Sequence, residues 1–192
     1  VLDAIVAAAE LSGTETVVEI GPGTGSLTRR LLEAAGRVIA IELDPAMVQL
    51  LQAELGDSPR LTLVQADGLE VSPAEIVGTE PYFVVANLPY YVATPIVRHF
   101  LESSHPPVRM VIMVQREVAA EMTASAGKLG LLSLAVQIFA ETRIVRKVLP
   151  GSFHPAPKVE SAIVRLDVRR EPLTPRPQMA AFFKVARAGF SA

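Results

Sequence analysis

The order of apolar and polar positions predicts alternating strands and helices through the first part of the chain. Short β-branched segments end at glycine, proline or acidic residues, and segments with apolar residues three or four positions apart lie between them. Several of the strands are apolar throughout, which is typical of a parallel sheet with helices on both faces. The predicted fold class is therefore α/β, a doubly wound Rossmann-like sheet. The predicted strands are 16–20, 37–42, 61–65, 82–86 and 108–114. The predicted helices are 1–11, 26–35, 45 onwards and 94–101. Gly36 is the predicted C-cap of the second helix, Asp44 is the predicted N-cap of the third, and the fourth is predicted to start at Thr94-Pro95.

The pattern changes in the second half of the chain. Helical spacing continues from Gln115 to about Ala140, and two strand-like segments follow at 143–149 and 159–168. The proline-rich segment 150–157 joins them. Two such segments joined by a loop predict a hairpin-like pair of strands at the edge of the sheet.

Three closely spaced prolines after residue 170 indicate a stiff linker, and a helical pattern over 178–190 follows it. The chain begins at Val1 rather than at methionine, inside an apparent helix, and it ends two residues after the last helical segment. We therefore expect it to be clipped at both ends. The predicted organisation is one main domain over 1–170 and, over 171–192, a linker with the beginning of a further helical region.

Composition limits the class of protein, and charge indicates where a partner would bind. The 192 residues include no cysteine, which excludes disulfides and thiolate metal sites and suits a reducing cytoplasm. No apolar run reaches the ~18 residues of a membrane span. The net charge of −2 is an average of two opposed halves: residues 1–96 hold thirteen acidic and four basic side chains, and residues 97–192 hold seven acidic and fourteen basic ones. A polyanionic partner is therefore expected to bind the second half.

A glycine-rich turn follows the first predicted strand, in Glu19-Ile20-Gly21-Pro22-Gly23-Thr24-Gly25. Glycines there let backbone N–H groups approach a ligand at the start of a helix, and the Gly-x-Gly-x-Gly spacing differs from that of nicotinamide sites. Glu42 ends the second strand, where an acid can accept the ribose hydroxyls of an adenosine. Asp67 follows the third strand, where it can accept from an adenine amino group. Taken alone, each feature fits a ligand-free turn or a solvated strand end; together they predict S-adenosylmethionine as the cofactor.

The tetrapeptide Asn87-Leu88-Pro89-Tyr90 follows the fourth predicted strand. An adenine N6 amine is a poor nucleophile because its lone pair is delocalised into the ring. The Asn87 side-chain oxygen and the Leu88 carbonyl can hold both amine protons, because Pro89 restricts Leu88 to extended backbone and so fixes that carbonyl. Tyr90 offers a ring on which the base can stack. The segment predicts methylation of an exocyclic amine, and a plain strand-to-loop turn is the alternative.

A third segment, Phe153-His154-Pro155-Ala156-Pro157-Lys158-Val159-Glu160-Ser161, lies between the last two predicted strands. With the glycine turn and Asn-Leu-Pro-Tyr, it resembles the KsgA-type ribosomal RNA adenine dimethyltransferase family, of which the Erm resistance methyltransferases are cousins. The resemblance covers about residues 1–187. It implies an S-adenosylmethionine-dependent enzyme that dimethylates N6 of two adjacent adenosines near the 3′ end of small-subunit (16S) RNA. It further implies a cytoplasmic monomer that acts on immature 30S subunits during ribosome biogenesis.

The resemblance also assigns roles to individual positions. Phe153 is implied as the second stacking face for the base, although an isolated phenylalanine is more often a core residue. No metal is expected, because His99, His105 and His154 lack ligand-spaced carboxylates. The implied catalytic residues are Asn87, Leu88, Pro89, Tyr90 and Phe153. The implied cofactor contacts are Glu19, Gly21, Gly23, Gly25, Glu42, Asp67 and Asn87.

Two alternative functions remain open at this point. One is a non-catalytic ribosome-assembly or mitochondrial transcription factor of the same fold, against which the intact motifs argue. The other is an Erm-type enzyme acting on large-subunit RNA, against which Leu88 and the segment 91–96 argue. Arg165, Arg169 and Arg170 near the last strand either contact phosphate or, by default, form a solvated edge.

Overall fold

A seven-stranded sheet with helices on both faces forms the body of the protein in the computed structural model, which describes residues 1–152 and 159–190 except for the side chains of Tyr90 and Ser152. The strands are β1 (Thr16–Ile20), β2 (Arg37–Glu42), β3 (Leu61–Gln65), β4 (Tyr82–Asn87), β5 (Arg109–Gln115), β6 (Ala140–Val148) and β7 (Ser161–Val168). The helices are α1 (Leu2–Ala9), α2 (Ser26–Ala34), α3 (Pro45–Leu55), α4 (Pro73–Val77), α5 (Tyr90–Glu102), α6 (Arg116–Met122), α7 (Leu131–Gln137) and α8 (Met179–Phe190).

The order of the strands across the sheet is β3-β2-β1-β4-β5-β7-β6. Strands β1 to β5 are parallel, and β7 runs antiparallel to both of its neighbours. The chain moves outwards from β1 to β3 and then returns to the other side of β1 with β4. Ligands of such sheets bind outside the carboxyl ends of the strands at this reversal. The predicted α/β doubly wound fold and its hairpin-like edge are both confirmed.

Alternate residues of each strand face two separate apolar cores, as the two-residue period of a strand requires. Val17 of β1 belongs to the first core, which includes Ile5 of α1 and Leu31 of α2. Val18 belongs to the second core, which includes Phe100 of α5. In the described part of the chain, no helix has the length and apolar character needed to cross a bilayer.

The end of α2 differs from the predicted glycine cap. The helix ends at Ala34, and the capping residue Ala35 is extended, with φ −109°. Gly36 does not adopt a left-handed conformation; a Cβ there would lie 2.7 Å from the Thr14 carbonyl oxygen. Glycine is therefore required because two backbone segments approach closely, and the prediction of Gly36 as a C-cap was wrong.

The start of α5 also differs from the prediction. The helix begins at Tyr90, directly after Pro89, so the predicted start at Thr94-Pro95 was wrong. Pro95 lies inside the helix, where its missing N–H leaves the Tyr91 carbonyl without an intrahelical donor. Water can hydrate that carbonyl because Tyr91 is exposed. The N-terminus of α5, with its partial positive charge, consequently lies directly after the Asn-Leu-Pro-Tyr segment.

The last helix packs onto the body of the protein. The predicted helix at the chain end is confirmed as α8, and the Leu173 amide before it donates to the Ile138 carbonyl at 2.9 Å. Arg176 donates to the carbonyls of Glu102 and Ser103 at the end of α5, at 3.1 and 2.9 Å. A separate domain beginning at residue 171 stays a prediction. The α8 residues that pack against the second core are Met179, Phe182 and Phe183.

A group of paired charges lies near the amino ends of the parallel strands, and we call Glu10, Arg109, Arg165 and Asp167 the amino-edge network. Arg165 is 5% exposed and contacts Glu10 at 2.6 Å and Asp167 at 2.9 Å. Arg109 contacts the same two carboxylates at 3.2 and 2.6 Å. The interpretation of Arg165 as a phosphate contact or a solvated side chain was therefore wrong, because its charge is buried against two acids.

Candidate functional site

A cleft of about 440 Å³ lies at the carboxyl ends of the parallel strands, beside the reversal between β1 and β4. This volume falls in the range of small-molecule sites. Apolar side chains form its walls, and acidic groups and backbone form its polar part. The apolar lining is Ile20, Ile41, Leu43, Leu69, Leu88, Val92 and Ile96. The predicted site residues that line the cleft are Gly21, Glu42, Asp67, Leu88 and Pro89, whereas Glu19, Gly23, Gly25 and Asn87 are not among its lining residues.

The glycine turn needs glycine for its backbone conformation. Gly21, Gly23 and Gly25 have φ values of +65°, +54° and +77°, a region that L-residues rarely adopt. A Cβ on Gly21 or Gly23 would meet no atom within 4 Å, so the backbone is open on that side. A Cβ on Gly25 would lie 2.7 Å from Leu51 Cδ2. The turn therefore exposes backbone at Gly21 and Gly23 and packs tightly at Gly25, where α2 begins.

Glu42 connects the glycine turn to the loop after β2. Its Oε2 accepts from the Gly23 N–H at 3.1 Å, and its Oε1 accepts from Leu43 and Asp44 at 2.8 and 3.0 Å. A carboxylate offers about four acceptor positions, so these three bonds leave one. Glu42 can therefore accept a hydrogen bond from one further hydroxyl group. To accept hydrogen bonds from two hydroxyl groups, it must give up one of its bonds to backbone N–H groups.

Glu19 lies behind the turn instead of lining the cleft. It is 1% exposed, and neither its Oε2 nor the Thr28 hydroxyl has a partner in hydrogen-bond geometry among the described residues. Burial raises the pKa of Glu19 to about 8; the neighbouring Thr28 hydroxyl opposes the rise and the negative charge of Glu42 adds to it. Glu19 is therefore mainly protonated at pH 7, and its role as a cofactor contact stays a prediction.

Asp67 lies in the loop after β3 and lines the same cleft as Glu42. Its Oδ1 accepts from the Leu69 N–H at 2.9 Å, which fixes the loop as an Asx turn. The Ala66 amide donates to the Glu42 carbonyl at 3.0 Å, so the two loops are also joined directly. The two predicted acidic contacts are therefore brought to one cleft, as their positions at successive strand ends implied.

The Asn-Leu-Pro-Tyr segment joins β4 to α5 at the same edge of the sheet. Asn87 pairs with Met113 of β5 and its side chain is exposed. The Leu88 side chain is buried in the second core and lines the cleft with Pro89, which caps α5. Tyr90 begins α5, but its side chain and the whole of Phe153 lie outside the described residues, so the predicted stacking pair stays a prediction.

Three exposed apolar side chains at the cleft were missed in the sequence. Leu43, Leu69 and Tyr91 line the cleft and are 63%, 37% and 84% exposed. Each of the three lies one or two residues after a predicted site residue. That position in the sequence was the one signal that could have identified them as cleft residues. Exposed apolar groups that adjoin one another are typical of a binding surface.

The described histidines make backbone contacts outside the cleft. His99 Nε2 lies 2.8 Å from the Val71 carbonyl, and His105 Nε2 lies 2.9 Å from the Glu80 carbonyl. Over 1–152 and 159–190, no group of three or more potential metal ligands occurs. These contacts give both rings a structural role in joining α5 and the loop after it to the loops around α4.

Comparison with known proteins gives a consistent set of matches. A model of the family described as ribosomal RNA adenine dimethylase matches residues 1–192. The chain is 44% identical over 191 residues to a ribosomal RNA small subunit methyltransferase A of Dehalococcoides mccartyi (strain CBDB1), covering 99% of this chain and 66% of the relative. The chain thus spans just under two thirds of that relative's length.

Two solved structures resemble the fold closely. The 23S ribosomal RNA methyltransferase ErmE superposes with a TM-score of 0.83 at 32% identity, over 99% of this chain and 76% of that one. A dimethyladenosine transferase from Plasmodium falciparum superposes with a TM-score of 0.82 at 29% identity, over 97% of this chain and 66% of that one. The cleft at the carboxyl edge therefore lies in a fold shared with RNA methyltransferases.

Proposed function

The chain belongs to the ribosomal RNA adenine dimethylase family, and from that premise we propose that it transfers methyl groups from S-adenosylmethionine to N6 of adenine in small-subunit ribosomal RNA. The proposed product is a pair of adjacent N6,N6-dimethyladenosines near the 3′ end of 16S RNA. The proposal depends above all on one observation: the glycine turn, Glu42, Asp67 and Asn87 come to one edge of the sheet. The D. mccartyi relative, named a small-subunit methyltransferase, supports the choice of subunit.

The cleft fits the proposed cofactor in charge and shape. Glu42 and Asp67 place negative charge beside a ligand that carries a positive sulfonium and a ribose with two hydroxyls. Leu43 and Leu69 offer apolar surface for an adenine ring. No Cβ intrudes at Gly21, so the ligand can approach the backbone. When bound, S-adenosylmethionine supplies an electrophilic methyl group on sulfur.

Asn87 and Leu88 act on the target amine. The Asn87 side-chain oxygen and the Leu88 carbonyl each accept a hydrogen bond from one N–H of the N6 amine, which draws the lone pair out of conjugation and aims it at the methyl carbon. The new N–C bond forms as the C–S bond breaks, and the amine then releases one proton to water. In the second transfer only one N–H remains, so one acceptor suffices.

The target base must leave its stack before these contacts can form, because a stacked adenine does not expose its amine to a cleft. Tyr90 at the start of α5 and Phe153, which follows β6 in the sequence, are the proposed stacking faces. Pro89 supports this arrangement because it caps α5 and holds the preceding residue extended.

An Erm-type activity on large-subunit RNA is the second candidate function. The superposition with ErmE, a 23S enzyme, favours it. That structure is 32% identical to this chain, whereas the small-subunit relative is 44% identical, so we place the small-subunit reading first. A binding factor without turnover comes third, because Asn87 and the glycine turn are both present.

The proposed partner is the immature 30S subunit, and we propose that the protein acts on it as a monomer in the cytoplasm. The basic second half of the chain, with fourteen Lys and Arg against seven acids, supports a polyanionic partner.

Methyl transfer to three substrates tests the proposal. The chain is incubated with labelled cofactor and with immature small subunits, protein-free 16S RNA or large subunits, and the labelled sites are mapped. We expect labelling of adjacent adenosines in small subunits. Labelling of large subunits alone would favour the Erm-type reading, and cofactor binding without any transfer would favour the factor.

A further inference from the structure

Strand β6 forms an edge of the sheet, and its basic side chains have few partners. The one acid on the strand, Glu141, pairs with Arg169 at 3.0 Å and so is already occupied. In the part of the chain that the structure describes, the one ion pair of Arg143 is a long contact of 3.7 Å to Glu10. The other two basic side chains of the strand, Arg146 and Lys147, form no ion pair within 1–152 and 159–190. The exposed basic residues of the strand are Arg143, Arg146 and Lys147, and we call them the β6 basic edge.

A β-bulge aligns two of these cations. The pairing with β7 shifts between Ile144 and Arg146, so that Arg143 lies opposite Arg165 and Arg146 lies opposite Ile163. Positions two apart on β7 face the same way, so Arg143 and Arg146 share one face of the sheet. Without the bulge they would face opposite sides, because side chains alternate along a regular strand. The extra residue thus turns both guanidinium groups to the same exposed surface.

The β6 basic edge leads towards the carboxyl edge that carries the cleft. Val148 at the end of β6 pairs with Ser161, which also pairs with Gln115 at the carboxyl end of β5. Arg146 and Lys147 therefore lie close to that edge. Phe153, one of the proposed stacking faces, follows them six residues after Lys147 in the sequence.

We propose that the β6 basic edge binds the phosphate backbone of the RNA next to the target adenine. This inference deepens the proposed function, because it names where the RNA lies when its base enters the cleft. Charge complementarity supports RNA as the occupant: cations on one exposed strand face a polymer with one negative charge per nucleotide. Exposed cations can also serve only to keep an edge strand from pairing with another sheet, and the test must separate these roles.

The test compares two double variants with the unaltered chain. Arg146→Gln/Lys147→Gln removes the two charges of the β6 basic edge that lie nearest the carboxyl edge of the sheet, one on each face of the strand. Arg37→Gln/Arg60→Gln removes two exposed charges at the amino ends of β2 and β3, away from the cleft. We expect the first variant to raise the KM for small subunits roughly 10-fold and to lower the salt slope of RNA affinity by about 1–2. Cofactor affinity and unfolding midpoint should not change, and the control should match the unaltered chain.

A charge-reversed variant separates RNA binding from edge protection. Arg146→Glu/Lys147→Glu keeps the edge charged and unpaired, yet it repels phosphate. We expect it to stay monomeric and to bind protein-free 16S RNA more weakly than the Gln variant, measured by salt titration without cofactor. RNA affinity equal to that of the unaltered chain would overturn the inference, as would a defect seen only with assembled subunits, which would indicate a protein partner. Since RNA binding is measured without turnover, this outcome is independent of whether methyl transfer occurs.

Discussion

The two ends of the same sheet use charged residues in opposite ways. At the amino end, Glu10 and Asp167 are each paired with both Arg109 and Arg165. At the carboxyl end, the Glu42 carboxylate faces a cleft, and among the described residues it accepts only from backbone N–H groups. Acidic and basic side chains that pair with one another stabilise the fold. A carboxylate held only by neutral backbone donors is not neutralised, so its negative charge can attract a ligand.

The pKa values of the two ends shift in opposite directions. Burial acts to raise the pKa of Asp167, but hydrogen bonds and charges from Arg165 and Arg109 outweigh it and hold that pKa below its usual value. The hydrogen bond from Arg165 likewise lowers the pKa of Glu10. Burial without a cationic partner raises the pKa of Glu19 to about 8. The contribution of the amino-edge network to the free energy of unfolding therefore falls on acidification. The contribution of Glu19, beside the glycine turn, falls as the pH rises.

The largest expected effect is on turnover at the carboxyl end. Asn87→Ala removes one of the two acceptors for the target amine, so kcat for methyl transfer should fall at least about 100-fold while the unfolding midpoint stays constant. Gln65→Ala, which removes an exposed amide from the carboxyl end of β3, is the matched control and should retain activity. Turnover in Asn87→Ala equal to that of the unaltered chain would refute the assigned mechanism.

At the amino end the expected effect is on stability. Arg165→Met removes a buried cation, deprives Glu10 of its closest guanidinium partner and leaves Asp167 with Arg109 alone, so the free energy of unfolding should fall by about 3 kcal/mol in urea titration. Arg170→Met, at an exposed position, should change it by less than about 0.5 kcal/mol. If both variants were equally stable, the network would not have the structural role assigned to it.

A smaller effect is expected on cofactor affinity. Glu42→Gln removes the negative charge and one of the two acceptor atoms at the cleft, so the Kd for S-adenosylmethionine should rise roughly 10- to 100-fold in calorimetry. Glu33→Gln, on the exposed part of α2, is a charge-matched control and should bind normally. Unchanged affinity in Glu42→Gln would contradict the assignment of the cleft as the cofactor site.

The pH dependence of stability distinguishes the buried acid from the paired ones. Between about pH 5 and pH 8 folded Glu19 keeps a proton that the unfolded chain releases, so its contribution falls with rising pH by up to about 1.4 kcal/mol per unit. Glu19→Gln should flatten the profile over that range and leave the acid limb, set by groups such as Asp167, in place. An identical slope in both proteins would mean that Glu19 is ionised in the folded state.

The smallest expected effect concerns the exposed ring at the mouth of the cleft. Tyr91 is 84% exposed and lines the cleft, so it can stack on a nucleotide of the RNA. Tyr91→Ala should raise the KM for RNA roughly 5-fold, and Tyr91→Phe should restore it because only the ring face is needed. A loss of cofactor affinity with an unchanged KM for RNA would instead assign the ring to the cofactor.

Regular sheet structure could be predicted from the sequence because its signals are local. Apolar strands ending in glycine or acid give the order of elements, and parallel strands bring their carboxyl ends together whatever the details of packing. Gly21, Glu42 and Asp67 were placed at one cleft in this way. The Asp44 cap was predicted for the same reason, and its carboxylate accepts from the Ala46 N–H at 2.8 Å.

Features that depend on distant contacts could not be predicted in the same way. Glycine is needed at position 36 because the Thr14 backbone approaches it closely, and rules for helix ends do not include such a contact. Arg165 pairs with Glu10, which lies 155 positions earlier in the sequence. The start of α5 was missed because Pro95 resembles a helix start, although the helix already exists at Tyr90. The wall residue Leu43 was missed because an exposed apolar side chain has no meaning until the cleft is formed.

The most direct test of the central claim is the chemical identity of the product. Small subunits are incubated with the chain and with S-adenosylmethionine carrying a deuterated methyl group, and the RNA is digested to nucleosides for mass spectrometry. The account predicts N6,N6-dimethyladenosine with two labelled methyl groups, from two adjacent positions of 16S RNA, and none with Asn87→Ala. Label on another atom or nucleoside, or equal label with Asn87→Ala, would contradict it.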